Sequence, residues 1–181
     1  MTVRIVTDSS CDLPQQVADS LGISIVPLKI SFGHEEYVDR TTITADEFWR
    51  KCAASAELPQ TAAPSEGDFA KVYQQLKSEG ATGIVVIALS SSLSATMQSA
   101  VNAAKSMAET IDIRVVDSRN ASLGVGLTAV ECAERARAGD PIDRIVAMAE
   151  SLVPRTHVFG ALDTLENLKK GGRIGGAKAM L

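Results

Sequence analysis

Gly83-Ile84-Val85-Val86-Ile87-Ala88-Leu89-Ser90-Ser91-Ser92-Leu93-Ser94-Ala95-Thr96 runs from an aliphatic segment into a cluster of hydroxyls. Its first half is an apolar run opened by glycine and closed by serines, the pattern of a buried strand. Met97 to Met107, next in the chain, is small and apolar enough to pack as a helix. A hydroxyl-rich turn therefore joins the carboxyl end of a strand to the start of a helix, which in an open α/β sheet is where ligands bind. A helix start offers backbone N–H groups and the positive end of the dipole, and the serines add hydroxyl donors. The turn is suited to an anion or a carboxylate. Helix capping by one serine is the simpler role, but a cap does not require four serines and a threonine.

The flanking sequence repeats the strand–loop–helix order. Val3 to Thr7 reads as a short strand running into Asp8-Ser9-Ser10-Cys11-Asp12-Leu13-Pro14. Asp12 or Ser10 is expected to cap a helix that starts near Pro14 and stops at Gly22. Asp8 suits either catalysis or, the favoured reading, satisfaction of backbone donors in a neighbouring loop. Ile23 to Phe32 reads as one strand with Pro27 near an edge or bulge. Gly33 to Asp39 follows as a turn and return strand, with His34 at the surface. Thr44 and Glu47 form a capping box for the helix through Phe48, Trp49 and Cys52. Leu58 to Ser65 is a proline-bracketed loop, and Ser65 to Asp68 caps a helix whose Phe69, Val72, Tyr73 and Leu76 form a core-facing stripe.

Asp112 to Ser118 is a further strand, ending like the first in Asp-Ser. Gly124 and Gly126 after it allow close approach of helix to sheet. One helix continues to Ala138, and another starts at Gly139-Asp140-Pro141 and ends near Val153. Residues 1–153 are thus expected to form an α/β domain with a mostly parallel sheet flanked by helices. After Pro154, Thr156 to Leu162 reads as a new strand. A helix over Asp163 to Lys170 follows, capped by Asp163 or Thr164, and then Gly171-Gly172-Arg173-Ile174-Gly175-Gly176. Residues 154–181 are expected to be the beginning of a second α/β domain, incomplete here, so that the chain is a fragment or one part of a split protein. Lys169, Lys170, Arg173 and Lys178 make this the most basic region. They suit either a solvated helix end or contact of Arg173 with a partner or a phosphate.

The 181 residues are 45% hydrophobic and only 4% aromatic, so the core is aliphatic and alanine-rich. A formal charge of −4 without long one-sign blocks argues against a nucleic-acid partner or an anionic membrane. Cys11, Cys52 and Cys132 are widely spaced and odd in number, as expected of reduced thiols without a zinc site or disulfide framework. No apolar run approaches the roughly 20 residues of a membrane helix, and the N-terminus enters a strand without a charged leader. A cytoplasmic protein without stable membrane insertion is expected.

Five ordered stretches resemble one family. Val6-Thr7-Asp8-Ser9-Ser10-Cys11-Asp12-Leu13, Thr61-Ala62-Ala63-Pro64-Ser65 and Ser90-Ser91-Ser92-Leu93-Ser94-Ala95-Thr96 are similar to signatures of the DegV family of bacterial fatty-acid-binding proteins. So are Val116 to Gly124 and Asp163 to Ile174. The resemblance implies a two-domain α/β protein with an apolar acyl-chain tunnel. It also implies a role in phospholipid metabolism: a long-chain fatty acid is held and presented to a separate fatty-acid kinase that makes acyl phosphate. The protein itself is then a lipid-binding subunit, with no catalytic residues, no metal and no cofactor, and with at most transient membrane contact. Carried over by position, Thr61 and Ser94, with Ser92 and Ala95 beside them, hold the carboxylate. Arg173 contacts the kinase or the phosphate, and Asp8, Ser9, Asp117 and Ser118 support the loops. Hydroxyl donors would bind the carboxylate without a tight ion pair, leaving an oxygen free to attack phosphorus. The tail would gain about 0.8 kcal/mol per buried CH₂.

Ala62, Ala95 and Met97 depart from the family pattern, where serine, glycine and tyrosine are usual. The methyl of Ala95 narrows the backbone approach to a ligand, and Met97 removes a hydroxyl. An alternative is a phosphate- or small-carbonyl-binding enzyme of the dihydroxyacetone-kinase-like α/β type. That chemistry calls for a histidine as nucleophile or base, and only His34 and His157 are available, neither in a matching motif. A serine hydrolase lacks its GxSxG elbow. An interaction module built on an exposed strand near Val158 is the third reading.

Overall fold

The structure is a computed structural model that describes residues 2–55 and 57–173. Its strands are β1 (Val3–Asp8), β2 (Ile23–Val26), β3 (Lys29–Phe32), β4 (Glu35–Val38), β5 (Gln60–Ala62), β6 (Gly83–Ala88) and β7 (Asp112–Asp117). Its helices are α1 (Gln15–Leu21), α2 (Ala45–Ala54), α3 (Glu66–Ser78), α4 (Thr96–Ser106), α5 (Leu123–Arg137), α6 (Ile142–Leu152) and α7 (Glu166–Lys170). They fall into two compact units, Met1–Leu28 with Ala63–Val158, and Lys29–Ala62 with Phe159–Leu181.

The first unit is built on a parallel sheet in the order β2-β1-β6-β7. All six residues of β6 are buried, because helices cover both faces and leave neither side of the strand in water. Val85 and Ile87 point into one layer with Cys11, Ala18 of α1, Val125, Ala129 and Cys132 of α5, and Ile145 and Ala149 of α6. Ile84 and Val86 point into the other, with Phe69, Tyr73 and Leu76 of α3 and Ala100 and Ala103 of α4. Each buried Val, Ile, Leu or Phe side chain contributes about 1.5–3 kcal/mol by leaving water. The buried Tyr73 hydroxyl donates to Ala100 O at 3.3 Å.

Small residues let α5 lie against the sheet layer. A Cβ on Gly126 would stand 2.5 Å from Cys11 O and 2.9 Å from Leu13 Cγ. One on Gly124 would stand 2.8 Å from Val158 Cγ2. Both glycines are there for close approach, as the sequence suggests. Gly22 ends α1 in the left-handed region at φ 66°, and α3 carries the Ser65–Asp68 capping box.

The second unit holds an antiparallel sheet in the order β4-β3-β5. Here aromatic packing replaces the aliphatic core. Phe32 of β3 meets Tyr37 of β4 and Phe48 of α2 at ring-centroid distances of 6.3 and 5.7 Å. Lys51 Nζ donates to Glu35 at 2.7 Å while lying 5.1 Å from the Tyr37 ring centroid. The Thr44–Glu47 capping box of α2 is complete.

Several expectations are corrected. Residues 23–32 are two strands in different sheets, broken at Pro27 and Leu28: β2 pairs in parallel with β1, and β3 pairs with β4 and β5. Residues 60–62 form a strand rather than loop, since β3 offers a free edge to Gln60 and Thr61. Thr156 to Leu162 forms no strand, because no neighbouring strand among the described residues supplies a ladder; the edge strand imagined at Val158 is absent with it. Neither Asp12 nor Ser10 caps α1, whose N-cap is Pro14. Asp8 caps the single 3₁₀ turn Ser9–Cys11 instead. Before α7, it is Thr164 whose hydroxyl accepts from Glu166 N, at 3.2 Å.

The units also do not divide at residues 153 and 154. Residues 154–158 pack with the first unit, where Asn120 Nδ2 donates to Thr156 O at 3.0 Å. Lys29–Ala62 leave it to join the second. Ile174, Gly175, Gly176 and Lys178 lie outside the described residues.

Candidate functional site

In the first unit the chain leaves β1 toward β2 on one side of the sheet and leaves β6 toward β7 on the other. The switch point of the parallel sheet therefore lies between the carboxyl ends of β1 and β6, where open α/β sheets bind ligands. The residues delivered there are Asp8-Ser9-Ser10 and Leu89 to Thr96.

Asp8 is 1% exposed and its carboxylate bridges the two strand ends. It accepts from Leu89 N at 2.9 Å and from Ser10 N at 3.1 Å, and from the Ser10 hydroxyl. Burial raises the Asp8 pKa above its ordinary value, and the hydrogen bonds from Ser10 and Leu89 pull the other way. Ser9, also buried, accepts from Leu28 N at 3.0 Å. Asp117 plays the corresponding part at the end of β7. It accepts from Ser91 Oγ at 2.6 Å, from Ser91 N at 3.2 Å and from Arg119 N at 2.9 Å. Ser118 accepts from Asn120 N at 3.1 Å. These four side chains hold loops in place, and each is occupied with backbone or hydroxyl donors.

The serine turn is self-bonded. Leu93 N and Ser94 N both donate to Ser90 O, and Ser90 and Ser92 hydroxyls lie 2.8 Å apart. Ser94 Oγ accepts from Thr96 N at 3.2 Å and lies 2.8 Å from the buried Thr96 hydroxyl. Ser94 thus covers one orphan amide at the start of α4, and a hydroxyl so placed still has hydrogen-bonding capacity for a ligand. Ser92 and Ala95 are exposed beside the half-buried Ser94.

Thr61 and Arg173 belong to the second unit. They line one open groove of about 550 Å³ together with Glu57, Gln60, Asn167 and Lys170. Thr61 is exposed on β5, and Arg173 donates to Gly171 O. The structure brings these two sequence-identified residues to one groove, with Ser92, Ser94 and Ala95 collected at the switch point of the first unit. Sequence reading missed Gln60, Asn167 and Lys170 as groove residues, although Asn167 and Lys170 sit three apart, on one helical face. It also missed the backbone of Ser122, at φ 54° and ψ −141°. His34 and His157 are exposed and line none of these features. Among the described residues no cluster of His, Cys, Asp or Glu is arranged to hold a metal, and no helix is long and apolar enough to cross a membrane.

The family model described as "Uncharacterised protein, DegV family" matches residues 2–181. The chain belongs to the DegV family. A DegV domain-containing protein of Listeria monocytogenes is 31% identical over 179 residues, covering 99% of this chain and 63% of the relative. The structure described as fatty acid binding of a DegV family protein from Thermus thermophilus is 39% identical. Its TM-score is 0.88, covering 100% of this chain and 64% of that one. The stearic-acid-binding protein of Eubacterium ventriosum is 29% identical with a TM-score of 0.83, covering 97% and 61%. This chain therefore spans less than two thirds of the length of these DegV relatives, and the parallel-sheet α/β architecture is common to them.

Proposed function

We propose that this DegV protein binds a long-chain fatty acid. The observation that carries the reading is the match, over the whole chain, to a Thermus structure described by its fatty acid binding. The carboxylate is held by the hydroxyls of Thr61 and Ser94, with Ser92 and Ala95 beside Ser94, and the tail lies in an apolar tunnel. The protein presents the bound carboxylate to a separate fatty-acid kinase for acyl-phosphate formation, with Arg173 contacting the kinase or the phosphate. It carries out no chemistry alone and needs neither metal nor cofactor. It works in the cytoplasm, meets the membrane only transiently and serves phospholipid metabolism.

The chemistry supports the assignment of hydroxyls. Ser94 lies two residues before α4, at the end where the helix dipole favours negative charge, and its Oγ accepts from Thr96 N. Calorimetric titration of the delipidated protein with stearate tests the reading. One saturable site, weakened about tenfold or more by Thr61→Ala or Ser94→Ala, is expected from loss of a charge-assisted hydrogen bond. Unchanged affinity in both variants would remove those residues from the site.

A further inference from the structure

The groove between β5 and α7 is richer in cations than a carboxylate held by hydroxyls requires. We propose that it seats a phosphate group, with Lys170 a binding residue alongside Arg173. The inference rests on the reading of Arg173 as a phosphate contact and extends it to a second cation and its supporting donors.

The wall formed by α7 supplies Asn167 and Lys170 from one helical face, with Arg173 just beyond its end. The wall formed by β5 supplies Gln60 and Thr61, and Glu57 is the groove's single carboxylate among the described residues. Lysine brings three N–H donors and arginine five, and two amides and a hydroxyl add to them. Such a donor set exceeds what the two oxygens of a carboxylate accept. It matches a phosphate, with three terminal oxygens and a charge near −2. Arg173 spends one N–H on Gly171 O and keeps the rest. Lys170 Nζ lies 3.7 Å from Glu166, but the two side chains are 65% and 74% exposed, and so open an ion pair holds its partners weakly. Cations also suit the C-terminal end of a helix. That accounts for their presence at the end of α7 but not for the amide and hydroxyl donors lining the groove from β5. The volume of about 550 Å³ admits a phosphate together with the group it is attached to. A free phosphate and a phosphomonoester lipid headgroup share this chemistry.

Titrating the full chain with inorganic phosphate at constant ionic strength, followed by backbone amide NMR shifts, tests the proposal. Saturable shifts are expected at Thr61, Asn167 and Lys170, with chloride producing none. Lys170→Gln should weaken binding about threefold, the scale of one exposed charge contact. Glu166→Gln, which frees Lys170, should tighten it. Phosphatidate vesicles compared with phosphatidylcholine vesicles in a sedimentation assay distinguish the sources. Lys170-dependent sedimentation with phosphatidate assigns the seat to a lipid headgroup, and saturable phosphate binding without it assigns the seat to a soluble phosphate. Shifts that do not saturate, or an affinity indifferent to both substitutions, overturn the proposal. Stearate loading of the same variants is measured in parallel. Its persistence where phosphate binding fails leaves the fatty-acid reading standing, and its absence in the wild type brings down that reading separately.

Discussion

Asp8→Ala removes the side chain that ties the end of β1 to the start of the serine turn. Its carboxylate, 1% exposed, accepts from Leu89 N and from the Ser10 amide and hydroxyl. Leaving the Leu89 amide unpaired costs about 1–3 kcal/mol, and loss of the cap on the 3₁₀ turn about 1 kcal/mol more. Removing a desolvated charge offsets part of this, so a net loss of about 2–3 kcal/mol is expected. For a chain of this size that lowers Tm by about 6–9 °C. Asp8→Asn separates charge from hydrogen bonding. Because burial raises the Asp8 pKa above its ordinary 3.8, the folded state holds this proton more tightly than the unfolded state does. The group's contribution is therefore complete below pH 3.8 and is lost as pH rises through the elevated native value. The stability advantage of wild type over Asp8→Asn should shrink with rising pH across that window. Urea unfolding followed by circular dichroism, repeated across pH, measures both effects. A change within about 0.5 kcal/mol for Asp8→Ala, the range of neutral surface substitutions, would rule out this role for Asp8, as would an advantage that grows with pH.

Further outcomes follow from single contacts. Gly126→Ala places a Cβ against Cys11 O and should cost about 1–3 kcal/mol, visible as a lower urea midpoint. Ser122→Gly should stabilise by about 1 kcal/mol, since Ser122 holds a backbone conformation suited to glycine and makes no side-chain cap; thermal melting checks it. Asp117→Ala frees Ser91 and Arg119, and faster amide exchange at both positions is expected, with exchange in β6 unchanged.

What was legible in the sequence was local. The apolar run of β6, the two capping boxes and the Gly22 stop each depend on residues within a turn or two of one another. The break at Pro27–Leu28 is different. It turns on which strands are offered to the two halves, β1 to one and β4 and β5 to the other. Residues 156–162 carry strand-like sequence without a pairing edge among the described residues. At the site, the serine turn and the two Asp-Ser pairs stood out by composition. Their hydrogen bonds to one another did not, because Asp8 and Leu89 are 81 positions apart. Lys170 and Asn167 do not stand out as groove residues in the sequence, since the β5 residues across the groove are more than a hundred positions away in the chain.

Mass spectrometry of organic extracts from the purified protein, alongside Thr61→Ala and Ser94→Ala, tests fatty-acid binding at its source. Stoichiometric long-chain fatty acid in the wild type, and its loss from both variants, is expected. A wild-type protein that is empty and takes up no added fatty acid would contradict it.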